Sequence, residues 1–238
     1  MTMSTSVYDE AFEWYSENWD PDRPVGEWWA LLAKAGWSFP SWPEGRGGRG
    51  LNPRAAKQAE QARLDAGAYG PPKGLSTFLV APTLLTYATS EQLDRFMPGI
   101  VRGTDTWCQL FSEPGAGSDL ASLSTRAVRD GDEWTITGQK VWNSGAQNAA
   151  FGILMARTDP SRPKHKGISF FLIGGAVLTS FLLIQNNIGN LFNFKSIKSL
   201  GRGELISLSS ILFFVILVFQ ISFIPVLSQN LIEILSLI

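Results

Sequence analysis

Cysteine and histidine are almost missing from this 238-residue chain; each occurs once, as Cys108 and His165. A single cysteine excludes an intrachain disulfide framework and a thiolate metal cluster. A single histidine would leave any Ser-His-Asp triad to His165, which sits in the polar run Pro163-Lys164-His165-Lys166 and reads as a solvated loop residue. An excess of charge is missing as well. The 20 basic and 21 acidic residues balance to −1, which speaks against a nucleic-acid partner. The first 20 residues are acidic and aromatic rather than basic and then apolar, so no secretory leader is read, and the globular part is expected in the cytoplasm.

What is scarce also changes along the chain. All nine tryptophans precede residue 143 and twelve of 13 prolines precede residue 164. From residue 174 onward there is one alanine, one proline and one arginine, while 35 of 65 residues are Ile, Leu, Phe or Val. That is a change of compositional regime rather than a linker.

Three stretches are therefore expected: 1–106, 107–173 and 174–238. Residues 7–17 read as a short amphipathic helix. Residues 24–36 read as another, with Pro24 in its first turn, Trp28, Leu31, Leu32 and Ala35 at helical spacing, and Gly36 ending it. A glycine-rich loop covers 38–50. Asn52-Pro53 supplies the cap and first residue of a helix reaching about residue 66. Residues 75–88 look helical, with Pro82 expected to bend or restart the helix. Thr89-Ser90-Glu91-Gln92 has capping-box spacing and opens a helix expected to stop by Pro98-Gly99. From Trp107 the pattern becomes strand-like: 107–111, 123–129, 133–137, 140–144, 151–157 and 168–173. Asp130-Gly131 is a hairpin signal between the second and third of these. The fold class expected is α+β: a helical domain, then a partial antiparallel sheet or barrel, then an apolar helical tail.

The stretch that organises the rest is Phe111-Ser112-Glu113-Pro114-Gly115-Ala116-Gly117-Ser118-Asp119-Leu120. Its small residues let a ligand approach the backbone, and its serines and successive N–H groups could donate to a phosphate or a flavin edge. On its own it reads equally as a tight turn. It is followed, in order, by Asp130-Gly131-Asp132-Glu133-Trp134, by Thr137-Gly138-Gln139-Lys140-Val141-Trp142-Asn143-Ser144-Gly145-Ala146, by Met155-Ala156-Arg157-Thr158-Asp159 and by Lys166-Gly167-Ile168-Ser169-Phe170. In order and spacing this series resembles the middle domain of the acyl-CoA dehydrogenases. Ala35-Gly36-Trp37, Pro43-Glu44 and Gly47-Gly48-Arg49-Gly50-Leu51 are similar to that family's turn after its early helices, so the resemblance covers about residues 7–173.

The resemblance implies FAD as cofactor, an acyl-CoA thioester as substrate, oxidation of its Cα–Cβ bond, and an electron acceptor of the electron-transfer-flavoprotein type. Carried over by position, it implies that Gln109, Leu110, Phe111 and Ser112 run along the flavin ring. Gly117 and Ser118 would meet the cofactor's phosphates, with Ser118 also bordering the substrate. Trp142 would pack on the flavin, with Asn143 beside it, and Ser144 would offer its hydroxyl to the flavin. Trp142 reads equally as core and Ser144 as a turn serine before Gly145. Glu113 and Asp119 are an obvious carboxylate pair, but the resemblance makes both of them turn residues. Cys108 has no implied role and is expected as a buried thiol.

After residue 173 the resemblance stops. The family's catalytic glutamate belongs to a C-terminal helical domain that has no counterpart here, as does much of its homo-oligomer interface. No catalytic residue is therefore assigned, and this chain is expected to act weakly or not at all alone. Residues 205–227 are uncharged and long enough to cross a bilayer, and Lys195, Lys198 and Arg202 precede them. The serines, Gln220 and Pro225 weaken that span. A fusion, a retained intron or a frameshift near residue 173 would also account for the change of regime. Two alternatives stay open: a membrane-tethered binding or assembly protein without catalysis, and an acyl-CoA oxidase lineage.

Overall fold

The computed structural model describes residues 6–131, 133–174, 192–200 and 203–204. The chain divides into two compact units, 1–106 and 107–238.

The first unit is helical. Helix α1 (Val7–Asn18) is capped by Ser6, whose hydroxyl accepts from the Asp9 N–H. Helix α2 (Val25–Ala35) follows Pro24 and ends at Gly36 in the left-handed conformation that glycine adopts without penalty. Helix α3 (Pro53–Asp65) is capped by Asn52, which accepts from the Arg54 and Ala55 N–H groups. A π-helical turn (Ser76–Val80) runs directly into α4 (Ala81–Tyr87), so Pro82 falls in the first turn of α4, where it needs no N–H donor. Helix α5 (Ser90–Val101) carries the complete capping box of Thr89 and Gln92. It does not stop at Pro98-Gly99. The proline costs one backbone bond, but the last turn buries Ile100 and Val101, which outweighs that loss.

Tryptophan builds this unit's core. Trp28 and Trp37 are buried with Ala11, Tyr15, Leu32, Ala59 and Ala62. The Trp14 ring stacks on Trp28 at 5.8 Å, and Trp19 meets it edge-on at 4.9 Å. The polar edges are satisfied too: the Trp28 indole donates to the Tyr69 carbonyl at 2.8 Å and the Tyr15 hydroxyl to the Trp37 carbonyl at 3.2 Å.

The second unit is built on β1 (Trp107–Leu110), β2 (Arg126–Asp130), β3 (Glu133–Gly138), β4 (Phe151–Arg157), β5 (Ile168–Gly174), β6 (Phe192–Leu200) and β7 (Gly203–Glu204). The path β1-β4-β2-β3-β6-β7 forms one sheet, with β5 also paired to β4. The β2–β3 hairpin turns at Gly131, whose φ is +60°, as the Asp-Gly signal predicts. The sheet is mixed rather than wholly antiparallel. β1 runs parallel to β4, with Gln109 opposite Ile153, because the long excursion between them carries the chain back before β4 begins. Cys108, Leu110, Ala127, Ile136, Leu154, Ala156, Phe171 and Ile173 form the core, with Trp134 edge-on to Phe171 at 5.3 Å.

Residues 140–144 form no strand, contrary to the alternation of their sequence. Trp142 takes a left-handed φ of 62°, which breaks an extended run, and the flanking backbone is tied to the loop after β1. In the tail, expected to be helical, the described stretches β6 and β7 are strands. The backbone of β6 pairs antiparallel along β3, with a register shift between Glu133 and Thr135. The proposed membrane-crossing stretch, 205–227, lies outside the described residues. Among the described residues no helix is long and apolar enough to cross a membrane.

Candidate functional site

Strand β1 delivers the 111–120 loop. Buried Trp107, Cys108 and Leu110 anchor the strand, leaving Gln109 half-buried. Burial pushes the Cys108 thiol up to about 12, so it is an inert core group. Leu110 is wholly buried and faces the core, so only its backbone can serve a ligand. Phe111 packs edge-on against Phe170 at 6.1 Å.

After Phe111 the chain makes a tight turn in which the Glu113 and Ala116 backbones exchange both N–H···O bonds, at 2.9 and 3.1 Å. Glu113 itself points inward. Its Oε2 accepts from the Ser124 N–H at 2.6 Å and the Ser124 hydroxyl at 2.7 Å. Its Oε1 accepts from the Thr125 N–H and from Lys140 Nζ, both at 2.9 Å. Burial opposes this charge, but the bonds from Thr125, Ser124 and Lys140 outweigh it and hold the carboxyl at about 2. Glu113 is thus ionised at neutral pH, with both carboxylate oxygens engaged.

Lys140 is the buried cation of the pair. Its side chain has no solvent exposure, and Nζ also donates to the Phe111 carbonyl at 2.9 Å. Burial pulls its pKa below the ordinary lysine value, and the Glu113 carboxylate pulls it partly back. The next residue continues the tie, since the Val141 N–H donates to the Ser112 carbonyl at 2.9 Å. With its amide oriented to satisfy its neighbours, Asn143 donates to the Gln109 and Val141 carbonyls, each at 3.2 Å. The stretch 109–112 therefore lies against 140–143, and the two are bound to each other along their length.

Beyond this seam the candidates turn to solvent. Trp142 is 88% exposed, the most exposed large hydrophobic side chain of the described residues. A compact turn, Ser144 N–H to Trp142 carbonyl at 3.0 Å, brings Ser144 to the surface, and Gly145 follows with φ +77°. Ser112 is half-buried, and Ser118 and Ser144 are exposed. Among the described residues none of the three hydroxyls has a hydrogen-bond partner, and the Gly117 and Ser118 N–H groups are likewise unused. A Cβ placed on Gly115 or Gly117 would meet nothing within 4 Å, so the loop faces open space.

Gly117 and Ser118 are not drawn into the seam. They stand past the Glu113–Ala116 turn, where the loop is held from the other side. Asp119 pairs with Lys164 and accepts from the Ser122 hydroxyl, which keeps its carboxyl below the ordinary value. Arg157 at the end of β4 donates to the Ala121 carbonyl at 2.7 Å and the Leu123 carbonyl at 3.2 Å. Neither Glu113 nor Asp119 stands as an unengaged base, as their reading as turn residues requires.

Lys140 and Arg157 are the residues that sequence reasoning passes over. Arg157 looks like a surface strand residue, and Lys140 like an ordinary polar position after Gly138-Gln139. Their one sequence signal is a cation next to an apolar run; their partners lie 27 and 36 positions away.

Comparison with known proteins identifies both units. The profile of the acyl-CoA dehydrogenase N-terminal domain matches residues 2–104, and that of the acyl-CoA dehydrogenase middle domain matches residues 108–181. This chain belongs to the acyl-CoA dehydrogenase family. The middle-domain match extends past the compositional break at residue 173. The chain is 49% identical over 146 residues to acyl-CoA dehydrogenase FadE34 of Mycobacterium tuberculosis, covering 60% of this chain and 20% of that relative. It is 45% identical over 151 residues to acyl-CoA dehydrogenase IpdE1 of the same organism, covering 61% and 38% respectively. Among solved structures, the ChsE4–ChsE5 complex from Mycobacterium tuberculosis matches with a TM-score of 0.51 at 34% identity, covering 73% of this chain and 48% of that one. The chain thus spans less than half the length of each of these relatives.

Proposed function

We propose that residues 107–174 form the cofactor-facing half of a FAD-dependent acyl-CoA dehydrogenase site. One observation carries this reading: an exposed Trp142, held in a left-handed conformation, stands beside the unpartnered Ser144 hydroxyl on a seam tied to the loop after β1. A folded protein gains nothing for its own stability from a solvent-facing indole on strained backbone, whereas a planar aromatic ligand would cover it. The free hydroxyls of Ser112 and Ser144 suit the polar edge of a flavin. The unused N–H groups of Gly117 and Ser118, over open space, suit a phosphate or the substrate's thioester end. Bound FAD would supply the hydride-accepting chemistry at the acyl Cβ.

Proton removal from the acyl Cα needs a carboxylate free to accept. Among the described residues of this unit Glu113 is saturated with donors and Asp119 is paired with Lys164. We therefore assign the 111–120 loop cofactor and thioester positioning, with neither of its carboxylates as base, and expect little or no dehydrogenation from this chain alone.

The test is direct. The purified full chain is incubated with FAD and desalted, and the visible flavin spectrum is recorded for wild type and Trp142→Ala. Retained flavin in the wild type, and its loss in Trp142→Ala, is the expected result; equal retention, or none in either, overturns the cofactor assignment. Robust turnover of an acyl-CoA with an electron acceptor would overturn the expectation of little or no dehydrogenation.

A further inference from the structure

We propose that Lys140 is a positioning residue that locks the two cofactor-facing stretches, 109–112 and 141–144, into one unit. What that unit holds rests on the flavin reading above; the locking itself is a property of the protein alone.

Ties across the seam include Lys140 Nζ to the Phe111 carbonyl at 2.9 Å, the Val141 N–H to the Ser112 carbonyl at 2.9 Å, and the Asn143 amide to the Gln109 carbonyl at 3.2 Å. Only the first is made by a charged group. It also reaches a further segment, because Nζ continues to Glu113 Oε1 and from that carboxylate to the Ser124 and Thr125 N–H groups ahead of β2. One ammonium therefore joins three segments that are distant in sequence. A buried lysine is a poor choice for stability, since an apolar side chain of similar volume fills such a space without desolvating a charge. What the ammonium adds is direction: it fixes a carbonyl on one stretch relative to the backbone of the other. Ser112 follows Phe111 directly, and Trp142 and Ser144 follow Lys140 within four positions. Ligand-facing groups need placement within about 0.5 Å, which loops achieve only through such support.

The experiment uses the full chain and compares Lys140→Met with Lys164→Met, which breaks the exposed pair of the same loop. Amide hydrogen exchange is measured without cofactor. Lys140→Met is expected to speed exchange at Val141, Ser124 and Thr125 together at least tenfold beyond any common rise shared with β4 and β5, with Lys164→Met leaving all of them unchanged. Fluorescence titration with FAD is expected to show at least tenfold weaker binding for Lys140→Met and a change within twofold for Lys164→Met. A uniform rise in exchange across the unit, with no excess at the three amides, would make Lys140 merely structural and overturn the proposal. So would local loosening with unchanged FAD affinity. If wild type does not bind FAD, the flavin reading fails, and the exchange pattern alone decides whether Lys140 locks the seam. Should Lys140→Met not fold, Lys140→Gln carries the same comparison.

Discussion

The 111–120 loop is held by two carboxylate–lysine pairs that differ in almost every physical respect. Glu113 and Lys140 have side chains 4% and 0% exposed, and each makes further hydrogen bonds to backbone. Asp119 and Lys164 are 60% and 48% exposed. The same two functional groups thus act as an internal fastening in one place and as a solvated contact in the other. In low dielectric an unpaired member is costly, whereas water replaces a lost partner at the surface. The difference shows that the base of the loop is built to be rigid and that its far end, around Gly117 and Ser118, is held more lightly.

The largest effect is expected from breaking the inner pair. Lys140→Met leaves a buried, ionised Glu113 and should lower unfolding stability by about 3–5 kcal/mol in a urea titration. A loss as small as that of a surface substitution would remove the contrast.

Acid should reach the inner pair next. The folded Glu113 carboxyl sits at about 2, below its ordinary 4.5, so the unfolded chain takes up the proton first. Its stabilisation is fully present above pH 4.5 and is lost as pH falls toward 2. The linkage amounts to about 3 kcal/mol, read as the acid limb of stability against pH. Glu113→Gln should flatten that limb; an unchanged limb would show that other carboxylates dominate it.

Trp142→Ala should change stability by no more than about 0.5 kcal/mol, because the indole lies outside the core. Trp28→Ala, in the helical unit, should cost about 3–5 kcal/mol. Thermal melts of the two variants would separate a solvent-facing tryptophan from a packing one. The smallest effect belongs to Asp119→Asn, for which no shift in the urea midpoint beyond experimental error is expected.

Much of the fold is legible in the residues because its signals are local. Asn52-Pro53, Thr89 with Gln92, and Gly36 each act within a few positions of themselves, so the helix ends can be read from neighbours. Asp130-Gly131 specifies its hairpin for the same reason. The misreadings are non-local. Residues 140–144 alternate like a strand, yet the Val141 N–H is claimed by the Ser112 carbonyl and the Lys140 ammonium by the Phe111 carbonyl, far back in the chain. Helix α5 runs past Pro98 because of what Ile100 and Val101 pack against. β1 and β4 pair in parallel because of the length of chain between them.

The site divides in the same way. Glycines, serines and one tryptophan in a fixed order mark the 111–120 and 142–145 stretches as candidates to face a ligand, and they carry the family resemblance, because small residues and spare donors are properties of the residues themselves. Which of them sit side by side, and what holds them, is settled only in three dimensions. Glu113 reads as a turn carboxylate with no partner named until Ser124, Thr125 and Lys140 converge on it, and Lys140 is an ordinary polar position in the sequence until its side chain is found fully buried. Charge and hydrogen-bonding capacity belong to the amino acid; the dielectric around it and the partners it meets belong to the fold. That is why the sequence alone identifies the lineage of this protein, while the tertiary structure decides which of its charged residues are buried and hold the loop in place and which stand in water.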